Sequence, residues 1–191
     1  MTATVVIQEG NGASVTWTTI TQGRYCTADT YNPGDNYVCV VPTSGFNYSY
    51  WKHHRMYASG SFTRITNIRW FTSGSVKTNW QLGTGGMLLV GKRDSGDNGC
   101  PEANYAQAIG VQGTTGYYIG DSSNGHTYYK SQSTPAVDAD NYTSANPLIV
   151  DTSTYTAAFG SKAVVTQIKI APDATQGDKP NETFTFRYDE I

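Results

Sequence analysis

Residues 164–170 read VVTQIKI, and this stretch decides the fold class. Apolar and polar side chains alternate along it with a period of two, which places one apolar row on one face of a β-strand. The row consists of Val164, Thr166, Ile168 and Ile170. Residues 183–188 repeat the pattern near the end of the chain, with the row Phe184, Phe186 and Tyr188. Both rows predict strands that pack one face against a core.

Further strands are predicted throughout the first half of the chain. β-Branched and aromatic runs occur at 16–20, 37–41, 46–57, 62–71, 76–82 and 86–92. Turn-forming pairs such as Pro33-Gly34 and Ser59-Gly60 separate these runs at short intervals. Within 46–57 the aromatic row changes face at Trp51, which predicts either a bulge or a strand that passes between two environments. Closely spaced short strands of this kind are typical of a sandwich or barrel.

The middle of the chain differs from both ends. Residues 92–145 are rich in Gly, Ser, Asn, Asp and Tyr, and we expect long loops with short strands laid on the main sheets. The one predicted helix is a turn or two at 101–109, where Pro101 begins it and Gly110 stops it. No linker divides the chain, so residues 1–191 are predicted to form a single all-β domain.

Composition limits the partners. Net charge is −2, and charged residues make up 15% of the chain, against roughly 25% in an average soluble domain. Such a chain has no electrostatic reason to bind nucleic acid or an anionic membrane. Residues 1–9 have no basic segment and no signal-peptide core, and no apolar run approaches a membrane span. We therefore expect neither nucleic acid nor membrane as a partner, and no signal peptide.

No pattern indicates chemistry. His53 and His54 are adjacent, so on a strand they point to opposite faces, and His126 is far away in sequence. Cys26, Cys39 and Cys100 have no zinc spacing, although a bridge between Cys26 and Cys39 stays open. Calcium could be held by two acidic groups, Asp94, Asp97, Asn98 and Glu102 or Asp138 and Asp140, but turn propensity explains both. We expect no catalytic, cofactor or metal residues.

A cluster of aromatic residues has three possible roles. It comprises Tyr48, Tyr50, Trp51, Tyr57, Trp70, Phe71 and Trp80. These side chains could form the core, a protein interface or a sugar-stacking platform. No nucleophile elbow, phosphate loop or dinucleotide fingerprint is present, and no carboxylate pair is marked, so a non-enzymatic protein is expected.

Two stretches resemble a known class of proteins. The first is FNYSYWK at 46–52, followed by FTRITNIRW at 62–70 and by Ser73-Gly74. The second is TFTFRYDEI at 183–191, preceded by Pro172 and the loop at Gly177. Both are similar to small structural proteins of tailed bacteriophages that decorate or cement the capsid shell.

The resemblance implies a β-sandwich of jelly-roll type in the virion, made in the host cytoplasm. It also implies binding to the major capsid protein, as a homo-oligomer on the capsid lattice, that stabilises the shell. It carries no catalytic residue. The alternatives are a carbohydrate- or receptor-binding module, of the tail-fibre or carbohydrate-binding kind, and a small hydrolase whose acids the sequence does not pair.

Overall fold

The computed structural model describes residues 2–191, and nearly all of its regular structure is β. The strands are β1 Ala3–Asn11, β2 Thr16–Ile20, β3 Asn47–Tyr48, β4 Lys52–Gly60, β5 Ile65–Phe71, β6 Met87–Gly91, β7 Gly110–Val111, β8 Thr115–Gly116, β9 Ala136–Asp138, β10 Leu148–Asp151, β11 Phe159–Gly160, β12 Val164–Ile170 and β13 Thr185–Glu190. One short α-helix, α1, spans Val76–Asn79, and 3₁₀ turns lie at Glu102–Asn104 and Ala139–Asn141. No helix within residues 2–191 is long and apolar enough to cross a membrane.

The strands form two packed sheets and a hairpin. The large sheet has the order β2-β1-β4-β12-β6-β9, with β11 also pairing with β4 and β3 with β12. The small sheet has the order β10-β5-β13, and β7 pairs with β8. Every pairing is antiparallel. The predicted all-β sandwich is confirmed, and the jelly-roll connectivity stays a prediction.

An inner core fills the space between the two sheets. Val164, Ile168 and Ile170 of β12 belong to it, so the predicted apolar face of 164–170 is confirmed. The small sheet contributes fully buried side chains such as Ile65 and Ile68. Because these contacts are almost entirely apolar, the inner core is stabilised by area removed from water.

The other face of the large sheet is covered as well. Leu89 and Val165 point into a second cluster, here called the outer core, together with Tyr50 and Trp51. The covering residues come from 92–145, here called the outer layer: Cys100, Ala108, Ile119, Tyr129 and Ala136. Strands β6 and β12 are therefore buried on both faces, which explains the continuous apolar run of β6 and the burial of the polar residues Thr166 and Gln167 on β12.

The break in the aromatic run at 46–57 is a real interruption of the strand. Both β3 and β4 pair with β12, and Ser49 lies between them. The hydroxyl oxygen of Ser49 accepts from the Ile168 amide at 2.9 Å, and the Ser49 amide donates to the Ile168 carbonyl at 3.0 Å. The Ser49 hydroxyl thus replaces a main-chain acceptor, and the Trp51 side chain packs into the outer core.

Residues 76–82 were predicted as a strand, and that prediction is wrong. Val76–Asn79 is helical, because both carboxylate oxygens of Asp140 accept from its first amides, at 2.8 Å from Val76 and 3.1 Å from Lys77. Val76 and Trp80, four positions apart, then both reach the inner core. The spacing of four between these two side chains fits a helix, whereas the β-branched residues Val76 and Thr78 favour a strand.

Three other predicted elements differ. Residues 37–41 form no strand; Tyr37 has a φ of 56°, and Val38 is 61% exposed, so the run lies on a loop. Residues 101–109 contain only the 3₁₀ turn at Glu102–Asn104. Phe184, Phe186 and Tyr188 pack against the inner core as predicted, but their side chains are half-buried rather than buried. They lie on β13 and just before it, and β13 is an edge strand of the small sheet.

Candidate functional site

Three potential metal ligands meet beneath the outer layer. The side chains of His53, Cys100 and His126 place one donor atom each within 4.8 Å of the others. His53 and His126 contact through their Nε2 atoms at 2.9 Å. All three residues are buried, with exposures of 2% or less. Among residues 2–191 this is the one group of three or more such side chains that converges.

Each of these side chains is held by regular main-chain contacts. His53 lies in the middle of the large sheet, paired with Gly10 on β1 and with Val165 on β12. Cys100 forms a two-bond bridge with Ala163, each amide donating to the other carbonyl at 2.8 Å. The His126 amide donates to the Ile119 carbonyl at 2.9 Å. The cluster therefore joins the sheet to two separate segments of the outer layer.

Aromatic rings enclose the cluster. The His126 ring lies 5.0 Å from Tyr129 and 5.6 Å from Trp51, and the His53 ring lies 4.5 Å from Tyr105. The Tyr105 hydroxyl is buried and has no hydrogen-bond partner. Burial lowers the pKa of His126 to about 3 and raises the pKa of the Cys100 thiol to about 12. Burial, with His126 beside it, also lowers the pKa of His53 well below its ordinary value. At neutral pH the cluster is uncharged.

The contacts define the tautomers of both histidines. The Tyr128 amide donates to Nδ1 of His126 at 3.2 Å, so Nδ1 carries no proton and Nε2 does. His126 then donates from Nε2 to Nε2 of His53. This assignment follows from the hydrogen-bond pattern around the rings.

His54, next in the chain, faces the opposite side of the sheet and belongs to a buried ion cluster. Both oxygens of Glu9 are used, one by Lys52 at 2.8 Å and the other by Nε2 of His54 at 3.0 Å. The Lys52 ammonium also donates to the Thr30 carbonyl. Burial raises the pKa of Glu9, but the contacts with His54 and Lys52 outweigh it and leave the pKa below its ordinary value. This cluster ties the loop at residue 30 to β1 and β4.

The acidic residues considered for calcium do not converge. Asp94 is bonded to Ser133, Asp97 to Lys162 at 2.7 Å, and Glu102 to Arg55 at 2.5 Å. Asn98 accepts from the Arg93 amide, and Asp140 accepts from the Val76 amide. Asp138 accepts from the Asp140 amide and from the Lys77 ammonium. Each carboxylate supports local structure, as turn propensity indicates. The three cysteines are free thiols.

The aromatic cluster is mostly core. Tyr50, Trp51, Trp70 and Trp80 are buried, and Tyr48, Tyr57 and Phe71 are half-buried. The large apolar side chains that are exposed lie elsewhere: Tyr31, Tyr37, Val38, Val40, Phe46, Ile109, Val111, Tyr117, Ile149 and Ile191. Most of them fall into two segments, 31–46 and 109–117.

These two segments are neighbours in space. The Thr27 amide donates to the Tyr37 carbonyl at 2.7 Å, and the Thr27 carbonyl accepts from Gly113 of the β7–β8 turn at 3.3 Å. Thr115 of β8 accepts from the Tyr48 amide at 2.9 Å. Within the narrower ranges 37–46 and 109–117, we call the exposed apolar residues the loop surface: Tyr37, Val38, Val40, Phe46, Ile109, Val111 and Tyr117. Those two segments contain no charged residue.

Comparisons with known proteins identify no relative. No family model, no curated protein and no solved structure matches this chain. The function must therefore be argued from the residues themselves.

Sequence reasoning missed both features. His53 and His126 are 73 positions apart, and Cys100 belongs to a third segment, so no local spacing could join them. The loop surface was hidden for a different reason. Residues 37–41 resemble a strand, and a strand would have buried alternate side chains.

Proposed function

We propose that the protein is a non-enzymatic structural protein of the virion, which binds the outer surface of the capsid and stabilises the shell. The observation that carries the proposal is the loop surface. Val38 and Val111 are 61% and 56% exposed, and Tyr37, Val40 and Phe46 are each about 40% exposed. Contiguous exposed apolar side chains mark interaction surfaces in soluble proteins.

The composition of the loop surface favours a protein partner. Tyr and Phe rings are enriched where proteins meet, and charged residues are depleted there. The segments 37–46 and 109–117 meet both conditions. The resemblance of 46–52 and 183–191 to decoration proteins specifies the partner as the major capsid protein. The proposed mode is homo-oligomeric binding on the lattice, where repeated weak contacts give strong attachment.

The carbohydrate-binding alternative loses its main support. It relied on the aromatic residues of 48–80 standing free in solution, and the tryptophans among them are buried: Trp51, Trp70 and Trp80. Glycan binding is kept as an outcome of the test below.

The test is co-sedimentation with shells of the phage that encodes the chain. The wild type is expected to pellet with shells at low salt and at about 1 M salt, where the Debye length is near 3 Å and charge contacts are screened. The variant Val38→Asp with Val111→Asp should stay in the supernatant. The matched control Ile149→Asp places the same charge on a side chain that is 48% exposed on β10, outside the loop surface, and should pellet normally.

Three results would contradict the proposal. Complete release at 1 M salt would show that charge holds the protein. Equal loss of binding in the Ile149 control would show that the loop surface has no special role. Failure of the wild type to pellet under any condition, with retention on a glycan array, would favour the carbohydrate-binding module.

A further inference from the structure

We propose that His53, Cys100 and His126 form a buried zinc site that fastens the outer layer to the large sheet. The donor set is two imidazole nitrogens and one thiolate sulfur. Zinc binds these ligands, and three protein ligands leave a fourth position for water. This proposal does not depend on the capsid function, because the site lies beneath the outer layer and not on the loop surface.

The spacing of the donors suits a tetrahedral ion. Zn–N bonds of about 2.05 Å separate two nitrogen ligands by about 3.3 Å. The two Nε2 atoms stand 2.9 Å apart, and all three donors lie within 4.8 Å. To bind zinc, the two nitrogens must move apart by about 0.4 Å, and the Cys100 sulfur, which lies within 4.8 Å of both, must stand about 3.6 Å from each. The backbone of Cys100 is fixed by the bridge with Ala163, and that of His53 by its sheet pairs, so side-chain rotation has to supply these movements.

Zinc binding would remove one proton from the cluster and move another. Zinc displaces the proton of the Cys100 thiol, which leaves to solvent, and a Zn–S bond forms. The His126 proton moves from Nε2 to Nδ1, so that Nε2 can bind the metal. The Tyr128 amide then loses its acceptor at Nδ1. The site changes from neutral to a net charge of +1, with the thiolate neutralising half of the metal charge.

A surface hollow lies close to His126. A hollow of about 180 Å³ is lined by Trp51, Gln107, Gly125 and Thr127, among others, and Gly125 and Thr127 flank His126 in the chain. The indole of Trp51 lines the hollow and lies 5.6 Å from the His126 ring, and its Nε1 donates a 2.8 Å hydrogen bond to the Ala106 carbonyl. The hollow has room for several waters, and Lys130 is also among its lining residues.

The site also explains why a polar cluster stands in the outer core. The outer layer has little regular structure, and a metal that joins three segments distant in sequence supplies folding energy that short strands do not. The competing arrangement is a metal-free His–His hydrogen bond. The two arrangements differ in the tautomer of His126, in the thiol of Cys100 and in metal content.

The experiment uses the full-length chain, unfolded with chelator and refolded with Co²⁺ as an optical probe or with Zn²⁺. We expect one metal per chain, a thiolate-to-cobalt charge-transfer band and tetrahedral d–d bands. Cys100→Ser should remove the charge-transfer band and weaken Co²⁺ binding by at least about 100-fold. Cys39→Ser, at a thiol outside the cluster, should bind as the wild type does.

A second measurement covers the case in which Cys100→Ser fails to fold. Imidazole ¹⁵N spectra of the wild type, with and without Zn²⁺, should show the His126 proton move from Nε2 to Nδ1. The proposal is overturned if the folded wild type binds no Co²⁺, or if Cys100→Ser keeps the wild-type affinity. An unchanged His126 tautomer in the presence of excess Zn²⁺ would also overturn it.

Discussion

The two faces of the large sheet are covered in opposite ways. The inner face packs against a regular three-stranded sheet through apolar side chains, with Trp70, Ile68 and Leu148 fully buried. The outer face packs against the irregular outer layer, and polar side chains take a large part there. The side chain of Gln167 joins β12 to two other segments, accepting from the Ile119 amide and donating to the carbonyls of Tyr117 and Ser49.

This difference shows what a layer with little regular structure requires. Main-chain groups of the outer layer cannot all pair with strands, so buried side chains satisfy them instead. The Tyr129 hydroxyl donates to the Asn98 carbonyl at 2.6 Å, and the Trp51 indole donates to the Ala106 carbonyl. Where the small sheet covers the inner face, stability therefore depends on apolar volume, and on the outer face it depends on specific hydrogen bonds. The Glu9–Lys52–His54 ion cluster on the inner side contacts the loop at residue 30 instead.

The largest expected effect is a cavity in the inner core. Ile68→Ala removes a fully buried side chain of β5 and should lower the free energy of unfolding by about 2–5 kcal/mol. Ile149→Ala is the matched control, because it makes the same change on the neighbouring strand β10 at a side chain that is 48% exposed. Urea melts measure both, and a loss near zero for Ile68→Ala would mean that the inner core is not packed as described.

On the outer face, we expect stability to be lost through unpaired polar groups rather than through lost apolar volume. Gln167→Leu keeps the side-chain size but leaves one amide and two carbonyls without partners, which should cost about 1–3 kcal/mol. Thr166→Val, the isosteric control on the adjacent residue, removes a single contact with the Tyr25 hydroxyl and should cost less. Equal losses in urea would remove the distinction between the two faces.

A smaller effect concerns acid stability. Burial raises the pKa of Asp151, but hydrogen bonds from the Lys162 amide, the Tyr155 hydroxyl and Ser153 outweigh it, so the folded pKa lies below the ordinary value of 3.8. As pH falls, the unfolded chain therefore takes up the proton at a higher pH than the folded chain does. The stability that ionised Asp151 contributes is complete above about pH 4 and is lost as pH falls through the folded pKa.

Asp151→Asn should accordingly cost about 1–2 kcal/mol at neutral pH and flatten the fall in stability below pH 4. Asp178→Asn, at an exposed acid, serves as the control and should leave the pH profile unchanged. Urea midpoints at a series of pH values measure both variants. A wild-type slope in Asp151→Asn would show that other groups govern acid unfolding.

The smallest effect on stability is expected at the loop surface. Val38→Asp changes a side chain that is 61% exposed, and should shift the free energy of unfolding by less than about 0.5 kcal/mol. The same variant is expected to weaken shell binding, so the surface separates function from folding. A loss of stability above about 1 kcal/mol would indicate that Val38 belongs to the packed structure.

The sequence was most informative where one face of a strand meets a regular partner. Alternation at 164–170 predicted the buried row of β12, because a period of two is a local property. At Val165 and Gln167 alternation was misleading, since both faces are covered and both residues are buried. The bulge at Ser49–Trp51 was predictable from the change of face. The helix at Val76–Asn79 was not, because the amides at its start depend on Asp140, distant in sequence.

The candidate sites were less predictable than the fold. The His53–Cys100–His126 cluster depends on where two loops of the outer layer come to rest, which no local pattern encodes. Composition predicted an uncharged interaction surface; 37–46 and 109–117 are uncharged and expose apolar side chains, and their role in binding stays a prediction. It did not predict which residues form it, because Val38 and Val40 resemble strand residues.

Native-state hydrogen exchange tests the central distinction, between the small sheet and the outer layer, most directly. Ile65 of the small sheet and Ile119 of the outer layer are equally buried at 0% exposure. The amide of each donates a 2.9 Å hydrogen bond, from Ile65 to the Tyr155 carbonyl and from Ile119 to the side-chain oxygen of Gln167 on β12. We expect Ile119 to exchange through a partial opening of the outer layer, at a lower free energy than Ile65 and with a smaller denaturant slope. Equal free energies and equal slopes at the two amides would show that both layers unfold as one unit and would contradict the account.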